Sequence, residues 1–344
     1  MKTLIAACAA ALITTLLPAE ALAAGELQIF NWGNYTNPEL IAKFERTHDV
    51  KVTITDYDSN DTALAKVRAG GHGYDIVVPS ANYVPVWIKE GLLLETRPDQ
   101  MPNFKHVDPK WADVAFDPGR RYTVPWQWGT VGVLVNTKHY KGDINTWKLI
   151  FDPPDEVKGK VTLVPEMGDV MASAIMYAGG DPCSDDLDLL KRVRDMLLAA
   201  KPHWLSIDYG SIEKSVQEDY WIGLEWNGGV FRARLQNPAI RFGYPREGYP
   251  IWMDNVAVLK DARNVENARL FQDFVMDPEN AAMISAFARF ANAIPASAQY
   301  MPEDMRDAPE VVIPKEFEAA GRFIPACKPE TNDLYSKIWT EVLK

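Results

Sequence analysis

Residues 30–84 read FNWGNYTNPELIAKFERTHDVKVTITDYDSNDTALAKVRAGGHGYDIVVPSANYV, and their periodicity sets the fold class. The apolar run at 26–30 predicts a strand. Asn37 followed by Pro38 opens a helix, since Asn can cap the first free N–H groups and proline has none to leave unpaired. Leu40, Ile41 and Phe44 then share one face. Residues 50–55 alternate as a strand does, and 59–69 return to helical spacing before Gly70-Gly71. The apolar stretch 74–80 predicts a short buried strand running into a turn, and 82–90 a helix stopped by Gly91. Strand and helix alternating in this way predict an open α/β sheet with helices on its faces.

The same pattern continues downstream. Strands are expected at 129–136, 160–165, 220–226 and 249–259. Helices are expected at 185–199, just after the Asn-Gly-Gly at 227–229, at 264–276, at 278–292 and near 334–343. In open α/β sheets ligands sit beyond the carboxyl ends of strands. Trp32 and Tyr35 lie at such an end, on a Gly/Asn turn. Turns favour small polar residues and tryptophan favours burial, so these two aromatics call for another use.

Upstream, the chain begins as an exported protein does. Lys2 precedes an apolar stretch, 4–17, broken only by two Thr. Pro18 and Glu20 end it, and Ala21-Leu22-Ala23 fits the small-x-small rule for cleavage after Ala23. Residues 1–23 therefore read as a signal peptide. Cys8 comes too early for a lipoprotein cleavage box. Neither this stretch nor any later one reads as a membrane span. The remaining chain is long for one compact core and suggests two lobes.

The formal net charge is −11, and it stays so when Lys2 and Glu20 leave together. Such a chain is a poor partner for nucleic acid and a reasonable one for cations, although excess acid can also serve solubility alone. Once Cys8 is lost, Cys183 and Cys327 remain. In an oxidising compartment they suggest one disulfide, the alternative being two buried thiols.

Catalytic signatures are scarce: there is no G-x-S-x-G, H-E-x-x-H or P-loop. The five His are scattered, with no i, i+4 pair to hold a metal, and no cofactor is expected. Aromatics beside acids carry the stronger signal. Among eleven Trp, Trp226 follows Glu225 and Trp252 stands two before Asp254. Ring faces attract cations and carboxylates bind ammonium groups, so together they suit an organic cation with an apolar middle. Glu225 is expected to point away from Trp226 by strand alternation.

The stretch 30–84, with FDPGRRYTVPWQWGTVGVLVN (116–136), EWNGGVFRAR (225–234) and PREGYPIWMDNVAV (245–258), closely resembles the periplasmic polyamine-binding proteins, the spermidine/putrescine receptors of ABC importers. The resemblance covers nearly the whole mature chain. It implies a type II periplasmic binding protein: two α/β lobes joined by a hinge, with the ligand cleft between them. The implied N-lobe is 24–132 plus 256–300, and the C-lobe 133–255 plus 301–344. It also implies a monomer in the periplasm, a polyamine ligand, docking on inner-membrane ABC permease subunits, and no catalysis.

Residue by residue, Trp32 and Tyr35 match the family's N-lobe aromatic pair. Ser80 matches its loop hydroxyl, with Tyr83 in the same loop. Glu166 and Asp169 match two C-lobe acids, Trp226 the Trp of the turn before a helix, and Trp252 and Asp254 the aromatic and amine-binding acid of the crossover strand. Phe290 stands where the family usually has Tyr. Two rivals remain. A zwitterion such as an amino acid or opine would need a cleft arginine, for which Arg246 and Arg289 are candidates. An exported hydrolase would need paired acids, for which Glu166 and Asp169 are the nearest pair.

Overall fold

The computed structural model describes residues 25–209 and 212–344; the expected signal peptide, 1–23, lies outside them. Ten strands are described: β1 (Gly25–Trp32), β2 (Val50–Tyr57), β3 (Ile76–Val77), β4 (Thr123–Asn136), β5 (Val161–Leu163), β6 (Trp204–Ile207), β7 (Ile222–Trp226), β8 (Ile240–Gly243), β9 (Tyr249–Val258) and β10 (Gly321–Phe323). Their order is β2-β1-β3-β9-β4-β7-β5-β6, with β10 on β9 and β8 on β4.

The sheet has two halves that share β4. In one, β1 runs parallel to β2 and β3, and β9 pairs antiparallel with β3 and with β4 from Thr123 to Thr130. In the other, β4 from Val131 onward pairs antiparallel with β7 and β8, while β5 runs parallel to β7 and β6. The two-lobed α/β architecture expected from the strand–helix alternation is therefore present. The expected lobe boundaries at 132/133 and 255/256 fall within β4 and β9. The β4–β9 register shifts between Pro125 and Gln127, at a residue that has no N–H to donate to the ladder.

The first half follows its sequence signals closely. Asn37 caps the helix Pro38–His48 by accepting from the Glu39 N–H at 2.9 Å, and Leu40, Ile41 and Phe44 are its buried face. Ser59 caps the helix Asn60–Arg68. The carboxyl ends of β1 and β3 lead to Trp32 and Ser80, and those of β5 and β7 lead to Glu166 and Trp226, so each half turns strand ends toward one cleft.

Several features were not read from periodicity, the short strands β6, β8 and β10 among them. The helix Met167–Tyr177 is buried nearly all round and so shows no polar stripe to mark it. The strand β4 begins six residues before the expected 129. The helix from Pro278 stops at Ala288, because Arg289 takes a left-handed conformation with φ of 66°. Cys183 and Cys327 form the expected disulfide, with Cα atoms 5.1 Å apart across 144 residues of chain.

Candidate functional site

Asp254 lies at the centre of the site. It sits in β9, opposite Ser80, to which it is joined by an isolated antiparallel bridge. Its Oδ1 accepts from Ser80 Oγ at 2.6 Å and its Oδ2 from the Tyr35 hydroxyl at 3.0 Å. Ser80 is itself fixed by Asn60, which accepts from the Ser80 N–H and donates to its hydroxyl, both at 3.0 Å. The carboxylate is thus held in one orientation by three elements distant in sequence. Burial pushes Asp254 up to about 7, against the opposing pull of its two hydroxyl donors. An ammonium arriving here would find a poised acid with lone pairs to spare.

The opening stretch supplies one wall. Asn31 ties the turn after β1 by accepting from the Trp32 N–H and donating to Thr36 Oγ1. Asn34 completes it in a left-handed conformation with φ of 54°, which asparagine tolerates better than most residues. The Trp32 ring lies edge-on to Trp226 across the cleft, with centroids 6.5 Å apart. Its indole N–H donates to the Val78 carbonyl, so Trp32 serves the fold as well as the wall. Phe290 stands T-shaped to Tyr35 and to Trp252. A hydroxyl is absent there, and the position is closed by ring edges.

The other half contributes acids. Glu166 and Asp169 begin the helix Met167–Tyr177 directly after β5. The Trp226 indole donates to Asp169 Oδ2 at 2.7 Å. Burial carries Asp169 up to about 7, opposed by that hydrogen bond. Burial, then the charges of Asp169 and Asp61, hold Glu166 well above the ordinary carboxylate range. Both acids gain from any positive charge placed between them. Two hydrogen bonds span the cleft: Tyr209 to the Gly33 carbonyl at 2.9 Å, and the Asn60 N–H to Glu166 Oε2 at 3.4 Å. Between these walls lies a cavity of about 100 Å³, lined by every residue named in this paragraph and the two before it except Asn31, Thr36, Asp61, Val78, Met167 and Tyr177.

The profile of the "Bacterial extracellular solute-binding protein" family matches residues 39–313. The chain belongs to this family. This receptor is 27% identical over 337 residues to the "Putrescine-binding periplasmic protein SpuD" of Pseudomonas aeruginosa, covering 92% of this chain and 91% of that one. It is 29% identical over 267 residues to the "Spermidine/putrescine-binding periplasmic protein" of Escherichia coli, covering 75% of each. Its fold superposes with a TM-score of 0.87 on a "Putative spermidine/putrescine ABC transporter from Listeria monocytogenes", at 26% identity, covering 92% of this chain and 98% of that one. The receptor is a binding protein and not an enzyme, and no helix among its described residues is long and apolar enough to cross a membrane.

Nine of the ten expected site residues converge on the receptor's cavity: Trp32, Tyr35, Ser80, Glu166, Asp169, Trp226, Trp252, Asp254 and Phe290. Tyr83 does not. Its hydroxyl donates to Asp61 at 3.0 Å, and it lines an adjoining cavity of about 40 Å³ beside the disulfide, which shares Asn82 and Ile324 with the main one. Ser80 and Tyr83 share a loop, and Tyr83 is the residue that leads into the helix Val84–Lys89; burial, then the charge of Glu166, holds its hydroxyl well above the usual tyrosine range.

Glu225, expected to point away, lines the main cavity and accepts from the Tyr220 hydroxyl. The cavity opens off the end of β7 and so meets side chains of both its faces. Arg246 and Arg289 are engaged elsewhere, with Asp143 and Asp304. The cavity arginine is instead Arg232, unforeseen in the sequence although it stands within EWNGGVFRAR. Gly229 precedes it by three residues, the helical spacing that puts both on one face.

Proposed function

We propose that the receptor captures a linear aliphatic polyamine, such as putrescine or spermidine, in the periplasm and delivers it to an inner-membrane ABC permease. The observation that carries this reading is the pairing of an aromatic-walled cavity with buried acids, Asp254, Asp169 and Glu166, drawn from both halves of the fold. Buried ammonium groups are costly unless paired. Here Asp254 takes one and the Glu166–Asp169 pair takes another, while Trp32, Tyr35, Trp226, Trp252 and Phe290 cover the methylenes between. The names of the relatives, putrescine- and spermidine/putrescine-binding, support the same ligand class.

In this reading residues 1–23 direct export and are removed after Ala23. The mature protein acts as a monomer, and ligand bridging the two lobes draws them closed about the strands they share, because only the closed form offers both sets of contacts. The lobes themselves comprise 24–132 with 256–300, and 133–255 with 301–344, which puts Asp254 on the crossover strand β9 next to the boundary, where it bonds to Ser80 and Tyr35 of the first lobe. Calorimetry on the mature chain with putrescine, spermidine and spermine tests the ligand class. A dissociation constant of about 1 μM or below is expected for at least one of them. Binding no tighter than about 1 mM for all three would refute the reading.

A further inference from the structure

Two donors on the cavity wall have no acceptor among the described residues: the Nε of Arg232 and the indole N–H of Trp252. Arg232 is the single cationic side chain among the described residues lining the cavity. It is partly buried, and its Nε is shielded from solvent. Burial lowers its affinity for its proton, and Glu213 and Glu225 act on its charge through space without capping Nε. Gly229, one turn earlier on the same helix, lines the cavity beside Arg232, and a Cβ there would touch only Ile212.

Guanidinium and indole N–H groups are donors only, and so is a protonated amine. A fully protonated polyamine can satisfy the acids of this cavity but neither of these donors, and it adds positive charge to a cavity that already holds that of Arg232. A buried donor left unpaired is costly, and Arg matches a carboxylate with parallel hydrogen bonds.

We propose that the preferred ligand is an aliphatic amine that also carries a carboxylate, with its ammonium at Asp254 and its carboxylate at Arg232. The inference rests on the reading of this cavity as an amine site and narrows the ligand class within it. A carboxylate at the far end of the chain and one beside an α-ammonium present the same group to Arg232.

Calorimetry on the mature protein distinguishes them with three probes. Putrescine and 5-aminopentanoate share four methylenes and differ by one ammonium exchanged for a carboxylate; lysine keeps the four methylenes and adds an α-carbon that bears a second ammonium beside the carboxylate. Either 5-aminopentanoate or lysine is expected to bind at least tenfold tighter than putrescine, and the tighter of the two identifies the arrangement. Arg232→Gln should weaken that ligand at least tenfold and strengthen putrescine, while Arg232→Lys should keep the wild-type order. Tighter putrescine binding by the wild type would overturn the inference and leave the polyamine reading standing. An equal loss for all three probes in Arg232→Gln would also overturn it, by assigning Arg232 to the fold alone. The wild-type ratio decides by itself if the variants fail to fold. Failure of the wild type to bind any of these probes or spermidine would remove both readings.

Discussion

Asp254 offers the most demanding test of the site. Burial raises its carboxyl to about 7 in the folded protein, so near neutrality it is only half ionised. An ammonium binds the ionised form. Below pH 7 binding must therefore expel a proton, at about 1.4 kcal/mol, or tenfold in affinity, per pH unit. At pH 5 the ionised fraction is about one in a hundred, so affinity should fall about a hundredfold, roughly 2.7 kcal/mol, from its plateau above pH 8. Asp169, also raised to about 7, steepens the profile toward two protons if it pairs with the same ligand.

Asp254→Asn keeps the shape but removes the charge. At pH 8 it should weaken binding by about 1.5–3 kcal/mol and take one proton from the slope. The stability sign is opposite. Between the unfolded value of about 4 and the folded value, the native carboxyl holds a proton that the unfolded chain has lost, so ligand-free stability falls as pH rises through that window. The melting temperature of Asp254→Asn should therefore drop less between pH 5 and 7.5 than that of the wild type. Calorimetry from pH 5 to 9, in two buffers of different ionisation heat, reads affinity and proton release together. A wild-type affinity constant within twofold from pH 5 to 8, or equal proton release by wild type and Asp254→Asn, would refute the reasoning.

Trp226→Phe removes the indole donor to Asp169 Oδ2, so affinity should fall and its pH midpoint move upward; an unmoved midpoint would dissociate this hydrogen bond from Asp169's titration. Gly129→Ala would drive a Cβ to 2.6 Å from the Trp252 ring and 2.4 Å from Asn227 Oδ1. Crowding of that kind should cost about 1–3 kcal/mol by denaturant unfolding, with weaker ligand binding through the displaced ring. The double variant Cys183→Ser, Cys327→Ser opens a loop of 144 residues and should lose up to about 5 kcal/mol of stability in the chain-entropy model. The denatured, unreduced wild-type protein should correspondingly titrate no free thiol.

The elements of the first half were legible because each carried its own local signal. The cap at Asn37, the two-residue alternation of β2 and the paired glycines after Arg68 depend on neighbours in the chain. The helix Met167–Tyr177 was not legible, because a segment apolar on every side has no period to read. Most of the site followed from the resemblance, residue by residue. Direction was the part not legible: Tyr83 shares a loop with Ser80 yet lines the adjoining cavity, and Glu225 and Trp226 alternate on β7 yet both reach the same one.

The sequence by itself determined that this is an α/β chain with aromatics and acids gathered near strand ends, because those properties reside in spacing along a few residues. The tertiary structure alone decided which of them meet. Tyr35 and Asp254 are hydrogen-bonded across 219 residues of sequence, and Trp226 and Asp169 across 57. No local pattern encodes the packing that brings them within 3 Å. For the same reason Arg232 stayed hidden: a charged residue on a helix reads as solvent-facing until the fold closes a cavity over it.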